Sequence, residues 1–335
     1  MINYIIKRVI LSFLTIIAIS MMSFFIIEIP PGDQVDRYKE IAQSRAQEPD
    51  PDDLEYLRKY LGLDQPQYIR YLKWIFNLAQ GDLGLSFQYY HGVHVYEKIS
   101  NLLDDRLWLT VALSGFTAIV TWSFAIPIGI YSAIRQHSVG DYVFTFMGFS
   151  GLAVPDFLLG LVLMYVAFAY FDQSVGGLNS ADYANKAWDL ARIKDLIDHL
   201  WVPAIVLGTS GTAGLIRVMR NNLLDEMSKP YVVTARSKGM RPLSVILKYP
   251  VRVAINPLIS TIGYILPSLV SGSIIVSVVL SLPTLGPLLL EAITSEDVYL
   301  AGFIIFIAGV LTVVGTLISD ILLAIVDPRI KYAAD

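Results

Sequence analysis

The hydrophobic pattern of this chain consists of long uncharged runs separated by polar stretches. The first run, Val9 to Ile27, is long enough to cross a hydrocarbon core of about 30 Å at roughly 1.5 Å rise per residue. A cleaved signal peptide is the alternative, but no small-residue cleavage motif follows the run. A second run, Leu107 to Ile134, also lacks charge. The pattern therefore predicts a retained first span and, after a long polar stretch, a second span.

Four more spans follow in the same pattern. The third, Tyr142 to Phe171, contains a proline near its middle, and the fourth is a short run from Leu200 to Ile216. Val253 to Leu290 is uncharged but too short for two comfortable crossings, so it predicts one crossing plus an interfacial or re-entrant piece, with the break at 282–287. The last span is predicted from Val298 to Val326.

The basic residues predict the side on which each loop lies. Six spans place both termini on one side, and a cytoplasmic N-terminus keeps the bases of Lys7-Arg8, Arg135 and 227–257 inside, as the positive-inside rule requires. The last outer loop, Glu291 to Asp297, carries acids and no base. We therefore predict an all-α integral membrane protein with six transmembrane helices and cytoplasmic termini.

Three regions follow from this arrangement. They are the N-terminal tail and first span at 1–28, an ordered extracytoplasmic cap loop at 29–106, and a membrane core at 107–335 that includes a cytoplasmic segment at 217–256. Within the cap loop, helices are expected near 52–60 and 67–78, where apolar and charged residues interleave. A second polar loop is expected at 172–199.

Composition agrees with a membrane protein and narrows the chemistry. The chain has 335 residues, of which 55% are hydrophobic and 16% are charged, and this is too apolar for an ordinary soluble domain. The absence of cysteine excludes disulfides, thiolate metal sites and cysteine nucleophiles within the chain. No Gly-Lys dipeptide occurs, so the chain has no phosphate loop for ATP. We predict no catalytic residue, no cofactor in the chain and no nucleic-acid partner.

The segment from Met227 to Pro257 is the non-membrane stretch that looks built for a partner. Its charged residues are all basic: Lys229, Arg236, Lys238, Arg241, Lys248 and Arg252. Pro230 can occupy the first turn of a helix, Gly239 can end it in a left-handed conformation, and Pro242 prevents its continuation. The sequence therefore predicts a capped helix of about two turns.

One face of that short helix carries a distinctive set of side chains. Tyr231, Thr234, Ala235 and Lys238 fall at positions i, i+3, i+4 and i+7. The face would present an aromatic ring, two small residues and a cation, and small residues let another backbone come close. On charge alone, a solvated basic loop that obeys the positive-inside rule is the alternative.

Two motifs of this segment carry a resemblance to a known family. They read Tyr231-Val232-Val233-Thr234-Ala235-Arg236-Ser237-Lys238-Gly239 and Arg252-Val253-Ala254-Ile255-Asn256-Pro257. The chain resembles the permease subunits of ABC importers for dipeptides, oligopeptides and nickel, in particular the dipeptide-permease B-type subunit. Further matching motifs are Pro30-Pro31-Gly32-Asp33, Leu61-Gly62-Leu63-Asp64-Gln65-Pro66, Gly81-Asp82-Leu83-Gly84-Leu85-Ser86, Leu200-Trp201-Val202-Pro203-Ala204 and Asp327-Pro328-Arg329-Ile330. In two departures, Val233 replaces the glutamate of the broader signature and Pro250 interrupts the usual helix.

The resemblance implies a type I permease fold and a role for the 227–257 segment. In that family the segment holds the coupling helix, which docks on a cytoplasmic ATPase. The docking residues would be Tyr231, Thr234, Ala235, Arg236, Lys238 and Gly239. Implied partners are a homologous second permease, two ATPase subunits that bind ATP and Mg, and a substrate-binding protein that lands on the cap loop. The location implied is the cytoplasmic membrane of a bacterium or archaeon.

Polar residues inside the predicted spans are candidates for the translocation pathway. They are Asp156, Tyr264, Ser271 and Ser273. The alternative is structural, because polar groups in spans often join helices and an acid can sit at a kinked helix. Asp320 is expected to pair with a base near the cytoplasmic end of its span. His91 and His94 invite a metal interpretation, but no further ligand is evident, so no metal site is predicted.

Peptide import is the function favoured by these motifs, and two kinds of alternative stay open. The same architecture could carry oligosaccharides or nickel complexes. A protein of another class, either a membrane enzyme with carboxylates at Asp156 and Asp320 or a receptor without an ATPase partner, is the more distant alternative.

Overall fold

The part of the chain that the structure describes is folded mainly into helices. The computed structural model describes residues 2–29, 35–36, 39, 51–86, 89–90, 93–94, 97–173, 176–183, 186–271 and 274–327. The helices over these residues are α1 (Ile2–Glu28), α2 (Pro51–Leu61), α3 (Gln67–Ala79), α4 (Ile99–Ile134), α5 (Val139–Ala153), α6 (Asp156–Phe171), α7 (Leu190–Met227), α8 (Pro230–Ser237), α9 (Pro242–Lys248), α10 (Pro250–Ala254), α11 (Asn256–Ser260), α12 (Ile262–Ser271), α13 (Ile274–Val279), α14 (Leu285–Thr294) and α15 (Val298–Val326).

By length and composition, four segments of the described chain could cross a membrane. The number is six if each of two bent helix pairs counts as one span. A helical membrane architecture is therefore confirmed at the level of four to six candidate spans, and the count of six stays a prediction.

The third predicted span consists of two helices, α5 and α6, whose axes differ by 102°. Val154 between them is extended, with φ −88° and ψ 126°, because the ring of Pro155 disfavours helical backbone in the preceding residue. The proline near the middle of the predicted span marks the break between the two helices. Gly160 of α6 packs against Leu280, and a Cβ at this glycine would lie 3.2 Å from the leucine side chain.

The fourth predicted span is part of a longer helix, α7, which is bent by 57° near Ser210. The helix begins at Leu190 because the side chain of Asp189 accepts a hydrogen bond from the backbone N–H of Arg192 at 2.7 Å. The loop predicted at 172–199 is therefore wrong from Leu190 onwards.

The long uncharged run after Val253 is divided among several short helices. The chain leaves helical structure between the end of α13 and the start of α14, so the break predicted at 282–287 begins slightly earlier than expected, after Val279. The segment Pro242–Ile265 has the composition of a span, which places its start before Val253. The outer loop predicted from Glu291 is also shorter than expected, since α14 continues to Thr294.

Two compact units share the chain, and the first contains residues 1–12, 108–287 and 311–335. Its main apolar core is built from buried side chains of α4, α6, α7, the loop between α6 and α7, and the α13 region: Leu109, Leu113, Ala167, Leu178, Leu196, Leu200, Val202, Val206, Val276, Leu280 and Leu282. Thr110 accepts a hydrogen bond from the backbone N–H of Leu285 at 3.0 Å, which fixes the start of α14 beside α4. A Cβ on Gly208 would lie 2.7 Å from the Thr121 hydroxyl, so this glycine permits close packing of α7 on α4.

The second unit contains residues 13–107 and 288–310. Here α1 packs along α15, and a Cβ on Gly302 or Gly309 would collide with the side chain of Ile27 or Ile19. Two short antiparallel ladders join Leu85–Ser86 to Glu97–Lys98 and Tyr89–Tyr90 to Val93–His94, so the cap loop contains short strands besides the predicted helices.

Polar contacts hold the cap loop together. The hydroxyl of Ser86 donates to the buried carboxylate of Asp297 at 2.6 Å, and the other oxygen of that carboxylate accepts the N–H of Leu300 at 2.9 Å. The hydroxyl of Tyr60 donates to the two carboxylate oxygens of Asp82 at 3.0 and 2.9 Å. Burial is the main cause that raises the pKa of Tyr60, and the hydrogen bond to Asp82 is the second. The ordered cap helices predicted near 52–60 and 67–78 are present as α2 and α3.

Candidate functional site: the α8–α9 segment

Helix α8 is the short capped helix that the sequence predicts after Lys229. Pro230 occupies its first turn, and the helix ends at Ser237. Gly239 has φ +75°, and its backbone N–H donates to the carbonyl of Arg236 at 2.9 Å. The left-handed glycine and the helix of about two turns are both confirmed.

Helix α8 rests on α9 through a small apolar cluster. Val232, Ala235 and Val245 are buried together, with Tyr231 and Tyr249 packed partly against them. Ala235 is only 6% exposed, because its methyl group lets α8 approach the side of α9. The predicted free face is therefore wrong in part, since two of its four residues contribute to packing within the chain.

The remaining predicted docking residues lie on the solvent side of α8. Thr234, Arg236 and Lys238 are exposed. Val233 is 54% exposed, although it stands where the broader family signature has a glutamate. We call the exposed set Val233, Thr234, Arg236, Ser237, Lys238, Leu243 and Leu247 the outer face of α8–α9. This face combines apolar side chains with cations, which suits a partner groove that has an acidic rim.

Glu226 and the turn before α8 fix the angle at which the helix leaves α7. The hydroxyl of Tyr231 donates a hydrogen bond to the Glu226 carboxylate. The backbone N–H of Lys229 donates to the carbonyl of Glu226 at 3.2 Å. The end of α7 therefore sets the position of Tyr231. The Tyr231 side chain orients α8 on α7 more than it adds exposed surface to α8.

The segment is also tied to the end of the last helix, which the sequence did not indicate. The Nε of Arg252 donates to the carbonyl of Val326 at 3.1 Å, and the side-chain amide of Asn256 donates to the Asp327 carboxylate at 3.1 Å. A basic side chain at the last carbonyls of a helix is favourable there. The sequence offered only an indirect hint of this contact, since the motifs at 252–257 and 327–330 both belong to the family pattern. Their contact connects α10 and α11 to α15.

The other candidate residues lie apart from this segment. Asp156 begins α6 directly after Pro155 and is half-buried, a position where a carboxylate interacts favourably with the helix N-terminus. Asp320 forms an ion pair with Arg8 at 3.0 Å, so the expected basic partner is confirmed. Tyr264 is 71% exposed on α12.

The last sequence candidates lie wholly or partly outside the described part of the chain. Ser273 and His91 belong to residues that the structure does not describe, and only the backbone is described for Ser271 and His94. Their roles stay predictions.

The described chain thus combines candidate membrane spans with a short, capped, cation-bearing helix. The family model described as binding-protein-dependent transport system inner membrane component matches residues 125–332, and its N-terminal companion model matches residues 1–114. The chain belongs to this family, and the family predicted from the motifs is confirmed.

Individual relatives agree over nearly the whole chain. The oligopeptide transport system permease protein AppB of Bacillus subtilis (strain 168) is 37% identical over 98% of this chain and 99% of that protein. The glutathione transport system permease protein GsiC of Escherichia coli O6:H1 is 30% identical over 99% of this chain and 100% of that protein. The dipeptide transport system permease protein DppB of Escherichia coli (strain K12) is 27% identical over 99% of both chains.

A solved structure shares the fold. A chain of the MetNI methionine ABC transporter, in an inward-facing conformation, superposes with a TM-score of 0.50 at 14% sequence identity. The match covers 68% of this chain and 98% of that chain. At this identity the likeness supports the fold alone.

Proposed function

We propose that this chain forms half of the translocation pathway of an ATP-driven importer of peptides. The observation that carries the proposal is the structure of the α8–α9 segment. It presents a capped helix with an exposed outer face, and the residues that follow it are hydrogen-bonded to the end of α15. Relatives named for oligopeptides, dipeptides and glutathione favour a peptide over an oligosaccharide or a nickel complex.

The proposed mechanism is alternating access. Closure of two cytoplasmic ATPase subunits around ATP and Mg pushes the outer face of α8–α9. The buried cluster around Val232 and Ala235 carries this displacement to α9, and the bonds of Arg252 and Asn256 carry it to the end of α15. Packed helices shift as rigid bodies, so the cavity between two permeases changes sides. This chain itself makes and breaks no covalent bond.

The remaining partners follow from the same proposal. A homologous second permease completes the pathway, and a substrate-binding protein delivers the peptide to the cap loop. Both termini lie in the cytoplasm, where the bases of Lys7, Arg8 and the 227–257 segment satisfy the positive-inside rule. The membrane is the cytoplasmic membrane of a bacterium or archaeon.

The test is uptake by the reconstituted complex of both permeases, the ATPases and the binding protein. Proteoliposomes supplied with ATP on the ATPase side are expected to accumulate a labelled peptide, and neither a labelled oligosaccharide nor a nickel complex. Vesicles assembled without this chain, or with a non-hydrolysable ATP analogue, are the controls. Accumulation of the oligosaccharide or of nickel in place of the peptide would reject the proposed substrate.

A further inference from the structure

Helix α3 of the cap loop packs directly against two apolar helices. The ring of Tyr71 lies 5.6 Å from that of Phe24 in α1, and the ring of Trp74 lies 5.8 Å from Phe24. Trp74 also meets Phe306 of α15 at 5.5 Å. One side of α3 is therefore covered by the helices that we expect to cross the membrane.

These contacts fix the depth of α3 along the two helices. The hydroxyl of Tyr71 is hydrogen-bonded to that of Ser20 at 2.8 Å. Ser20 precedes the end of α1 at Glu28 by a distance of about 12 Å, and Phe306 follows the start of α15 at Val298 by the same distance. Helix α3 thus lies beside the terminal part of the spans rather than beyond their ends.

The charged side chains of α3 are directed away from its remaining open side. Arg70 forms an ion pair with Glu28 at 2.6 Å, and both side chains are largely buried. The Nζ of Lys73 donates to the carbonyls of Lys59 and Tyr60 at 3.0 Å each. Both cations are therefore held by the end of α1 and by α2.

The open side of α3 is apolar. Tyr68, Leu72 and Phe76 fall at positions i, i+4 and i+8, and they are 67%, 62% and 62% exposed. At comparable depth, α1 exposes Met22 and Phe25, side chains that a span presents to lipid. Water contact with such a stripe would cost roughly 25 cal/mol for each Å² of apolar surface.

We propose that α3 is an interfacial helix whose Tyr68, Leu72 and Phe76 side lies among the acyl chains of the leaflet in which α1 ends. An amphipathic helix with aromatic and leucine side chains on one face binds a membrane in this way, buried by about 5–10 Å. Tyrosine suits the level of the headgroups, and the buried Arg70–Glu28 pair anchors the helix to α1. In the orientation proposed above this is the outer leaflet, so α3 fixes the cap loop at the membrane surface.

The absence of cysteine makes a direct test possible, because single labels can be introduced into the full chain. Leu72→Cys and Phe76→Cys, each carrying a nitroxide spin label, are compared in the assembled transporter in nanodiscs of phosphatidylethanolamine and phosphatidylglycerol. Met22→Cys on the open side of α1 is the lipid control, and Lys59→Cys on the exposed side of α2 is the water control. Collision rates with oxygen, which concentrates in the bilayer, and with a water-soluble nickel chelate are measured for each label.

The oxygen-to-nickel collision ratio at Leu72 and Phe76 is expected to equal that at Met22 and to exceed that at Lys59 several-fold. A ratio equal to the Lys59 value would overturn the proposal, because it would show that this side of α3 faces water. Shielding from both reagents would also overturn it, in favour of a protein that covers the face. Peptide uptake is a separate measurement, so the collision ratios can be interpreted even if the proposed function fails.

Discussion

Replacing Gly239 with proline is expected to abolish ATP-driven uptake while the chain still inserts into the membrane. Gly239 has φ +75°, whereas the proline ring holds φ near −65°. The substitution also removes the N–H that donates to the carbonyl of Arg236 at 2.9 Å. The strained backbone and the lost hydrogen bond together cost about 3 kcal/mol. The chain would relieve that strain by unwinding the end of α8.

The control is a series of residues at position 239 that tolerate a positive φ to different degrees. A Cβ at this position meets nothing within 4 Å, so only the backbone conformation limits the replacement. Asparagine tolerates positive φ, so Gly239→Asn should stay close to wild type, with Gly239→Ala intermediate and Gly239→Pro worst. The readouts are peptide uptake and substrate-stimulated ATPase activity of the reconstituted complex. Wild-type uptake by the proline variant would contradict the role given to the end of α8.

Ala235→Arg is the second change with a large expected effect, because it separates α8 from α9. Ala235 is 6% exposed beside Val232 and Val245, so the cluster has no room for a longer side chain. Overpacking and desolvation of the guanidinium together oppose the α8–α9 contact by about 3 kcal/mol or more. Peptide uptake is expected to be lost, whereas basal ATPase activity should persist.

The matched control for this change is Ala235→Ser, which adds one atom and no charge. It should retain most of the uptake. Detachment of α8 has an independent readout in endoproteinase Lys-C cleavage after Lys238, which should accelerate in Ala235→Arg and stay unchanged in Ala235→Ser. Accelerated cleavage together with normal uptake in Ala235→Arg would show that the cluster does not transmit motion. Unchanged cleavage would contradict the expected separation of α8 from α9.

The bounds of α8 could be predicted from sequence because they depend on local chemistry. Pro230 and Gly239 restrict the backbone wherever the segment lies. Which side of α8 faces inward depends on Val245, a residue of the following helix. Periodicity alone therefore grouped Ala235 with Lys238, although one is buried and the other is exposed.

The bend between α5 and α6 shows the same limit in the membrane helices. The residue before Pro155 had to leave helical backbone, and this was readable from the sequence. The angle of 102° depends on packing, such as that of Gly160 against Leu280, and these residues are far apart in the chain. The contacts of Arg252 and Asn256 with the end of α15 likewise needed the fold, although both motifs were visible.

The sequence predicted that α3 is a helix, but it did not indicate that this helix contacts the membrane. Its apolar and charged residues interleave with helical periodicity, which predicted an ordered cap. Its depth follows from the hydrogen bond between Tyr71 and Ser20 and from the rings around Trp74. Those contacts join segments that the sequence separates by dozens of residues.

The central claim is that the outer face of α8–α9 docks on an ATPase, and site-specific photocross-linking tests it most directly. A benzophenone amino acid is placed at Thr234 on the exposed side of α8, or at Lys59 in the cap loop as the control. In a complex that transports peptide, illumination should join this chain to an ATPase subunit from Thr234 and not from Lys59. The yield should change when ATP is added. An equally active complex that gives no ATPase product from Thr234 would contradict the account.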